Sequence, residues 1–188
     1  ATRHQTSARP PHGPCRAAAR CGSFPKNNVS VYSGGMLGDG NGWVIGPHGE
    51  KYWGKFGAAG LFLQAGDAIL MQHRAAWTAQ GDTWGIPGGA RDSHETASEA
   101  ALRETVEECG IDPDRVRPLE EVVTIEVPGW AYTTVIARTD DGAQLPVTAN
   151  EESEELRWVP LGALRELPLH PGFAAALDHL IGHTEPHD

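Results

Sequence analysis

The sequence has few cysteines, no long apolar run and a deficit of basic residues. Its three cysteines are an odd number without a CxxC pair, which argues against a disulfide framework and against a zinc cage. No run of 18 apolar residues occurs, so we expect no membrane-spanning helix. The net charge of −10 argues against a general nucleic-acid or anionic-membrane binder. These absences predict a soluble, cytoplasmic protein.

Acidic residues are missing from the first 35 positions, which carry five basic ones: Arg3, Arg9, Arg16, Arg20 and Lys26. This stretch is rich in Pro, Ala, Gly and Ser and shows no apolar periodicity, so we expect disorder. A targeting segment, a true start at Met36 and a basic tether for nucleic acid or a partner are the alternatives, although a secretory signal would need an apolar core. We predict a leader over 1–35, one domain over 36–182 and a tail over 183–188.

Short apolar strands separated by Gly and Pro dominate the chain from Gly38 onward. A turn at 46–49 predicts a hairpin of residues 43–45 and 51–53. Further strands are predicted over 59–63, 68–72, 122–127, 131–137 and 156–159, and helices over about 94–109 and 172–182. Strands with helices at two places predict an α+β or α/β layered domain.

The first predicted helix carries a ridge of acids. We expect it to begin at a cap within 92–95 and to end at Gly110. Glu104 lies three and four residues from Glu107 and Glu108, so the three carboxylates are neighbours and repel each other. A solvated acidic face is one interpretation. The other is a divalent cation, because clustered hard oxygen ligands suit Mg²⁺ or Mn²⁺.

The residues around this ridge match a known pattern. Two adjacent glycines, Gly88 and Gly89, let the backbone approach a ligand closely before the helix. Gly89, Glu95 and the run Arg103–Ile111 occupy all seven fixed positions of the signature of the Nudix hydrolases, which the sequence therefore resembles. Thr105 stands where the family usually has an aliphatic residue, and we expect it to pack there.

The resemblance implies an α/β fold, a Nudix-type α/β/α sandwich with a central mixed sheet and a loop–helix–loop. It implies a Mg²⁺-dependent pyrophosphohydrolase, with Mn²⁺ as a substitute, that cleaves a nucleoside diphosphate linked to another group and releases a nucleoside monophosphate. The family's metal-binding and catalytic carboxylates match Glu104, Glu107 and Glu108. A backbone ligand matches the Gly88 carbonyl, and Arg103 matches the arginine that orients the glutamates. Glu95 matches the residue that holds the loop together.

The general base remains open at this point. The first glutamate of the signature, Glu104, serves in some members and an acid outside it in others. Four acids precede the last predicted strand, and Glu152 stands six residues before Trp158, where related enzymes place an additional metal ligand. A solvated acidic loop is the alternative interpretation of this cluster.

Substrate contacts are predicted at three further residues. The resemblance suggests that Arg74 contacts phosphate, and the aromatic faces of Trp130 and Tyr132 could stack on a base. The alternatives are a surface arginine and core aromatics. The nucleotide itself is not indicated. Pro128 lies near, but without, the pattern of ADP-ribose hydrolases, and residues 169–173 lack the asparagine of the enzymes that act on oxidised purines.

Two alternatives to a simple enzyme stay open. Some family members have lost catalysis and act as nucleotide-ligand sensors or binding modules. Many form dimers, so a homodimer is one expectation. A nucleotide-type small molecule is the expected partner, with no membrane and no nucleic acid.

Overall fold

The computed structural model describes residues 38–184, so the predicted leader over 1–35 and Met36 lie outside the described residues. A hairpin opens the described chain, with β1 at Trp43–Ile45 and β2 at Lys51–Trp53. The two strands pair in antiparallel register from Trp43 opposite Trp53 to Ile45 opposite Lys51. The predicted hairpin is confirmed.

Seven strands form the main sheet. They are β3 (Ala58–Ala65), β4 (Ala68–Arg74), β5 (Trp84–Gly85), β6 (Gly88–Ala90), β7 (Val116–Val127), β8 (Trp130–Thr139) and β9 (Ser153–Pro160). The order along the sheet is β5-β4-β3-β8-β7, with β6 beside β3 and β9 beside β4. Among the strands within residues 38–184, only β3 and β8 pair in parallel, so the sheet is mixed, as the resemblance implied.

Two helices cover the two faces of the main sheet: α1 at Ala97–Cys109 and α2 at Pro171–Gly182. Side chains alternate between faces along a strand, and β3 shows this alternation. Leu61 and Leu63 pack in the core beneath α1, whereas Phe62 packs in the core with Phe173 and Leu177 of α2. The layers are therefore helix, sheet and helix. Within residues 38–184, no helix has the length and apolar character needed to cross a membrane.

The start of α1 differs from the prediction, whereas its end is confirmed. The cap is Thr96, whose side chain accepts from the Glu99 N–H while the Glu99 carboxylate accepts from the Thr96 N–H. A start at 92–95 is wrong because the Glu95 carboxylate binds the Asp92 N–H and the Arg103 side chain. Gly110 closes the helix with φ 64°, the left-handed conformation that glycine adopts without steric cost.

Thr105 packs as expected. Its side chain is fully buried, and its hydroxyl donates to the Ala101 carbonyl one turn earlier at 2.7 Å. This internal hydrogen bond satisfies the one polar group that the threonine brings into the core.

We predict that Thr96→Ala lowers the free energy of unfolding by about 1 kcal/mol, because one N–H of the first turn of α1 loses its acceptor. Urea denaturation measures the change. Thr96→Ser is the matched control, since it keeps the capping hydroxyl and should stay close to the wild type. Equal stability of the alanine and serine variants would contradict the capping role.

Candidate active site

An ion pair ties the loop before α1 to the helix. The Arg103 Nε donates to Glu95 Oε1 at 2.6 Å and Nη2 donates to Glu95 Oε2 at 2.9 Å. The same Nη2 also donates to the Ala90 carbonyl at 3.0 Å. Burial alone would raise the pKa of Glu95, but the hydrogen bonds from Arg103 and from the Asp92 N–H hold that pKa below its usual value. Arg103 therefore fixes residues 90–95 against α1.

The three glutamates of the acidic ridge differ in burial. Glu108 is only 5% exposed, and its Oε2 accepts from the Gly88 N–H at 3.1 Å. Glu104 is largely buried, and its Oε1 accepts from Arg103 Nη1 at 2.8 Å. The Glu107 side chain is 59% exposed, with one oxygen 3.5 Å from Arg103 Nη1. The ridge thus carries two inward carboxylates and one that faces solvent.

The positive charges near the two inward carboxylates do not fully compensate for the burial of these groups. Burial, and next the neighbouring Glu104, raise the pKa of Glu108 to about 8, while the Gly88 N–H opposes the shift. Burial also raises the pKa of Glu104, against the opposing effect of Arg103. A cation among these oxygens would remove this cost, and Mg²⁺ and Mn²⁺ prefer such hard oxygen ligands. The residues present therefore fit a divalent metal.

The two glycines before α1 allow this close packing. A Cβ on Gly88 would lie 2.3 Å from the Ala59 carbonyl oxygen, and a Cβ on Gly89 would lie 2.5 Å from the Glu104 Cδ. The backbone contact at Gly88 requires glycine if β6 is to pair with β3, whereas a side chain at Gly89 would force the Glu104 carboxylate to move. The contact that the structure shows for Gly88 is made by its N–H, so its carbonyl as a metal ligand stays a prediction.

Among the four acids Glu151, Glu152, Glu154 and Glu155, of which the last two lie within β9, the structure sets Glu152 apart. Asn150 donates its N–H to the Glu108 carbonyl at 3.2 Å, which docks the turn of residues 150–153 on the end of α1. The charge of Glu152 raises the pKa of both Glu104 and Glu108. Glu155, in contrast, pairs with Arg157. Glu152 thus shares the electrostatic environment of the ridge, although its role as a ligand stays a prediction.

A cleft of about 620 Å³ lies beside the ridge and includes Gly88 and Gly89 in its wall. Arg74 lines it, with Nε donating to the Ala79 carbonyl at 3.2 Å. Trp130 is buried and stacks on Tyr52 with ring centroids 4.7 Å apart. The Tyr132 hydroxyl lies against Gly60, and burial raises the pKa of that hydroxyl. The structure therefore brings all three predicted substrate residues to one cleft.

His170 also lines the cleft, although the sequence patterns did not indicate it as a site residue. Its Nδ1 accepts from the Gly172 N–H at 3.1 Å, so the proton of the neutral ring sits on Nε2. Burial, and next the charge of Arg74, lower the pKa of His170. The neutral ring therefore offers the cleft a hydrogen-bond donor. A histidine directly before Pro171 and Gly172 at a helix start was the available signal.

A second group of potential ligands lies outside the ridge. Ligand atoms of Asp39, Asp92 and His94 lie within 4.8 Å of one another. However, both Asp39 oxygens accept from Ser93, and Asp92 Oδ1 accepts from the Gly40 N–H. These carboxylates are already satisfied by donors from the protein, and Asp39 is exposed, so the inward glutamates are the stronger metal candidate.

Comparison with known proteins agrees with this geometry. The model of the NUDIX domain family matches residues 54–180. The chain belongs to the Nudix family. This domain resembles a Mycobacterium tuberculosis protein provisionally named 8-oxo-dGTP diphosphatase 3, with 51% identity over 160 residues that cover 80% of this chain and 73% of that protein.

Two further similar proteins carry Nudix hydrolase in their names. A Bifidobacterium longum protein named a nucleoside triphosphate pyrophosphatase/Nudix hydrolase fusion is 42% identical over 75% of this chain and 32% of its own length. The crystal structure of a Nudix hydrolase from M. smegmatis superposes with a TM-score of 0.74 at 45% identity, covering 79% of this chain and 99% of that one. The Nudix fold and a hydrolase of nucleotide pyrophosphate bonds, both predicted from the signature, are thereby confirmed.

The burial of Glu108 generates a prediction on pH and stability. In the unfolded chain this carboxyl ionises near 4.5, whereas in the folded, metal-free protein it stays protonated to about 8. Its contribution to stability is therefore fully present below pH 4.5 and is lost as the pH rises to about 8. Glu108→Gln should remove this loss, which amounts to a few kcal/mol at ~1.4 kcal/mol per pKa unit.

Urea denaturation in EDTA at pH 5 and pH 8 measures this effect. We expect Glu108→Gln to gain stability over the wild type between the two pH values. Glu154→Gln, which changes an exposed carboxylate outside the ridge, should keep the wild-type pH dependence. If the free energies of unfolding of the wild type and Glu108→Gln changed equally with pH, burial would not raise the pKa of Glu108.

Proposed function

We propose that this protein is a Mg²⁺-dependent pyrophosphohydrolase of nucleoside triphosphates that releases a nucleoside monophosphate and pyrophosphate. The observation that carries the proposal is the pair of inward carboxylates, Glu104 and Glu108, packed against Gly88 and Gly89, the two glycines that line an aromatic cleft. Oxidised guanine nucleotides are the first substrates to test, because the M. tuberculosis relative carries 8-oxo-dGTP in its name.

The metal would be held by Glu104, Glu107 and Glu108, with Glu152 and the Gly88 carbonyl as further ligands. When bound, Mg²⁺ neutralises charge on phosphate oxygens and lowers the pKa of water, so that a nucleophile is available at neutral pH. The exposed position of Glu107 suits a ligand that must also reach the substrate side of the site.

Glu104 is the residue that we propose as general base. Arg103 occupies its Oε1 through a 2.8 Å hydrogen bond, which leaves Oε2 to accept a proton. Burial raises the pKa of Glu104, and a carboxylate of raised pKa is a stronger base near neutral pH. Arg103 thus orients Glu104 and occupies its Oε1, so that the proton transfer takes place at Oε2.

The cleft provides contacts for the remainder of the nucleotide. Arg74 offers a positive charge to phosphate oxygens close to Glu108, whose pKa it lowers. Trp130 and Tyr132 provide aromatic surface against which a base can stack. The neutral His170 ring offers its Nε2–H to a carbonyl oxygen of the base, since a neutral donor suits an uncharged acceptor.

We predict that Glu104→Gln and Glu107→Gln each lower kcat by about 10²–10³-fold, because each weakens binding of the metal that would neutralise the phosphoryl group, and Glu104→Gln also removes the proposed base. Steady-state kinetics with Mg²⁺ measures the loss, and circular dichroism checks the fold. Glu154→Gln is the matched control, since Glu154 is an exposed acid of the neighbouring cluster. Wild-type turnover in Glu107→Gln would contradict the metal assignment.

The substrate proposal is tested with a panel of compounds: 8-oxo-dGTP, dGTP, dATP, ADP-ribose and a dinucleoside polyphosphate. We expect the triphosphates to be preferred, with nucleoside monophosphate and pyrophosphate as products. Hydrolysis in H₂¹⁸O shows by the label whether water attacks the α or the β phosphorus. Tight nucleotide binding without turnover in Mg²⁺ or Mn²⁺ would instead support the sensor alternative.

A further inference from the structure

A buried glutamine lies beneath the turn that carries Glu152. Gln72 in β4 is 1% exposed although its neighbours Leu70 and Met71 are apolar. Because side chains alternate along a strand and Leu70 belongs to the core beneath α1, Gln72 lies on the α1 side of the sheet. A buried amide there lowers the stability of the fold unless its polar atoms form hydrogen bonds. The presence of Gln72 therefore needs a structural or functional explanation.

The Gln72 amide begins a relay of hydrogen bonds. Its Nε2 donates to Ser153 Oγ at 2.8 Å in the protein interior. Ser153 Oγ in turn lies 3.5 Å from Asn150 Oδ1, its acceptor. Asn150 Oδ1 also accepts from the Glu152 N–H at 3.0 Å. The relay therefore runs from the centre of the sheet to the backbone of Glu152.

The other side of Glu152 is held as well. Its carbonyl accepts from the Ala75 N–H at 2.9 Å, and Asn150 donates its N–H to the Glu108 carbonyl. The pairing of β4 with β9 shifts between His73, opposite Glu155, and Arg74, opposite Ser153. Such a bulge changes the direction of side chains next to a site. Glu152 is thus placed between the end of β4 and the end of α1.

We propose that Gln72 is a positioning residue that fixes Glu152 beside Glu104 and Glu108 through Ser153 and Asn150. The inference rests on the proposed function only in taking Glu152 as a member of the metal site. Gln72 Oε1 is buried without a hydrogen-bond partner within residues 38–184. A leucine at this position would avoid the unsatisfied oxygen, but it would also lose the Nε2 donor to Ser153.

The test is Mn²⁺ affinity, measured from the electron paramagnetic resonance signal of unbound Mn²⁺, with melting temperature recorded in parallel. We expect Gln72→Leu and Ser153→Ala to weaken Mn²⁺ binding about 10-fold, as loss of a supporting hydrogen bond does at other metal sites. Ser153→Thr keeps the hydroxyl and should restore wild-type affinity. Ser153→Ala remains informative if Gln72→Leu fails to fold.

A double-mutant cycle shows whether the effect passes through Glu152. In a Glu152→Ala background, Gln72→Leu should cause no further loss of Mn²⁺ affinity, since coupled residues give non-additive effects. Gln64→Leu is the matched control, because Gln64 is a strand glutamine beside the β3–β4 turn that also has an unpartnered Oε1. It should leave Mn²⁺ affinity unchanged.

Three results would overturn the inference. One is a lower melting temperature in Gln72→Leu with unchanged Mn²⁺ affinity, which is the outcome for a purely structural glutamine. Another is an equal loss of affinity with and without Glu152. The third, no Mn²⁺ binding by the wild type, would also contradict the proposed function. Coupling through Glu152 in a protein that hydrolyses no nucleotide would contradict the proposed function alone.

Discussion

The bond between Arg103 and Glu95 organises the site. It is a two-pronged ion pair between the helix and the loop that precedes it, and such paired, charge-assisted bonds fix geometry as well as energy. Because the same guanidinium binds the Ala90 carbonyl and Glu104, one side chain sets the distance between the glycine loop and the acidic ridge. The placement of Glu104 and of Gly88 beside Glu108 depends on it.

This arrangement lowers the stability of the metal-free protein through the electrostatics of two buried carboxylates. Glu104 and Glu108 are turned inward and kept close, and burial raises the pKa of each. Arg103 compensates Glu104 in part, whereas Glu108 receives one backbone N–H. Buried carboxylates without paired cations are costly. A site that is destabilising when empty and stabilised by a cation is what a metal-dependent hydrolase requires, because binding of the metal then supplies the missing charge.

Local patterns predicted most of the architecture. The hairpin at 43–53, the strands around Pro128–Gly129 and the end of α1 at Gly110 all depend on turn chemistry and alternation that short windows of sequence contain. The predicted start of α1 was wrong because Glu95 stands in the sequence where an acid of the first helical turn is expected. In the folded loop, Glu95 instead pairs with Arg103. The spacing of the glutamates predicted the acidic ridge. It could not predict which of them point inward, because this depends on their contacts with β6.

The contacts of Gln72 and Tyr52 could not be predicted from the sequence, because each joins strands distant in the chain. Gln72 stands within an apolar strand and meets Ser153 across 81 positions. Tyr52 meets Trp130 only because the first hairpin folds onto β8. The tautomer of His170 depends on the Gly172 N–H, a contact that exists only once α2 has formed.

The position of the bound metal shows whether the inward glutamates form the metal site. Crystals soaked with Mn²⁺ and a non-hydrolysable nucleoside triphosphate analogue would give an anomalous signal for the ion. The arrangement of buried carboxylates predicts this signal among Glu104, Glu107 and Glu108, next to Gly88 and at the edge of the cleft. A signal only at Asp39, Asp92 and His94, or none near the ridge, would contradict it.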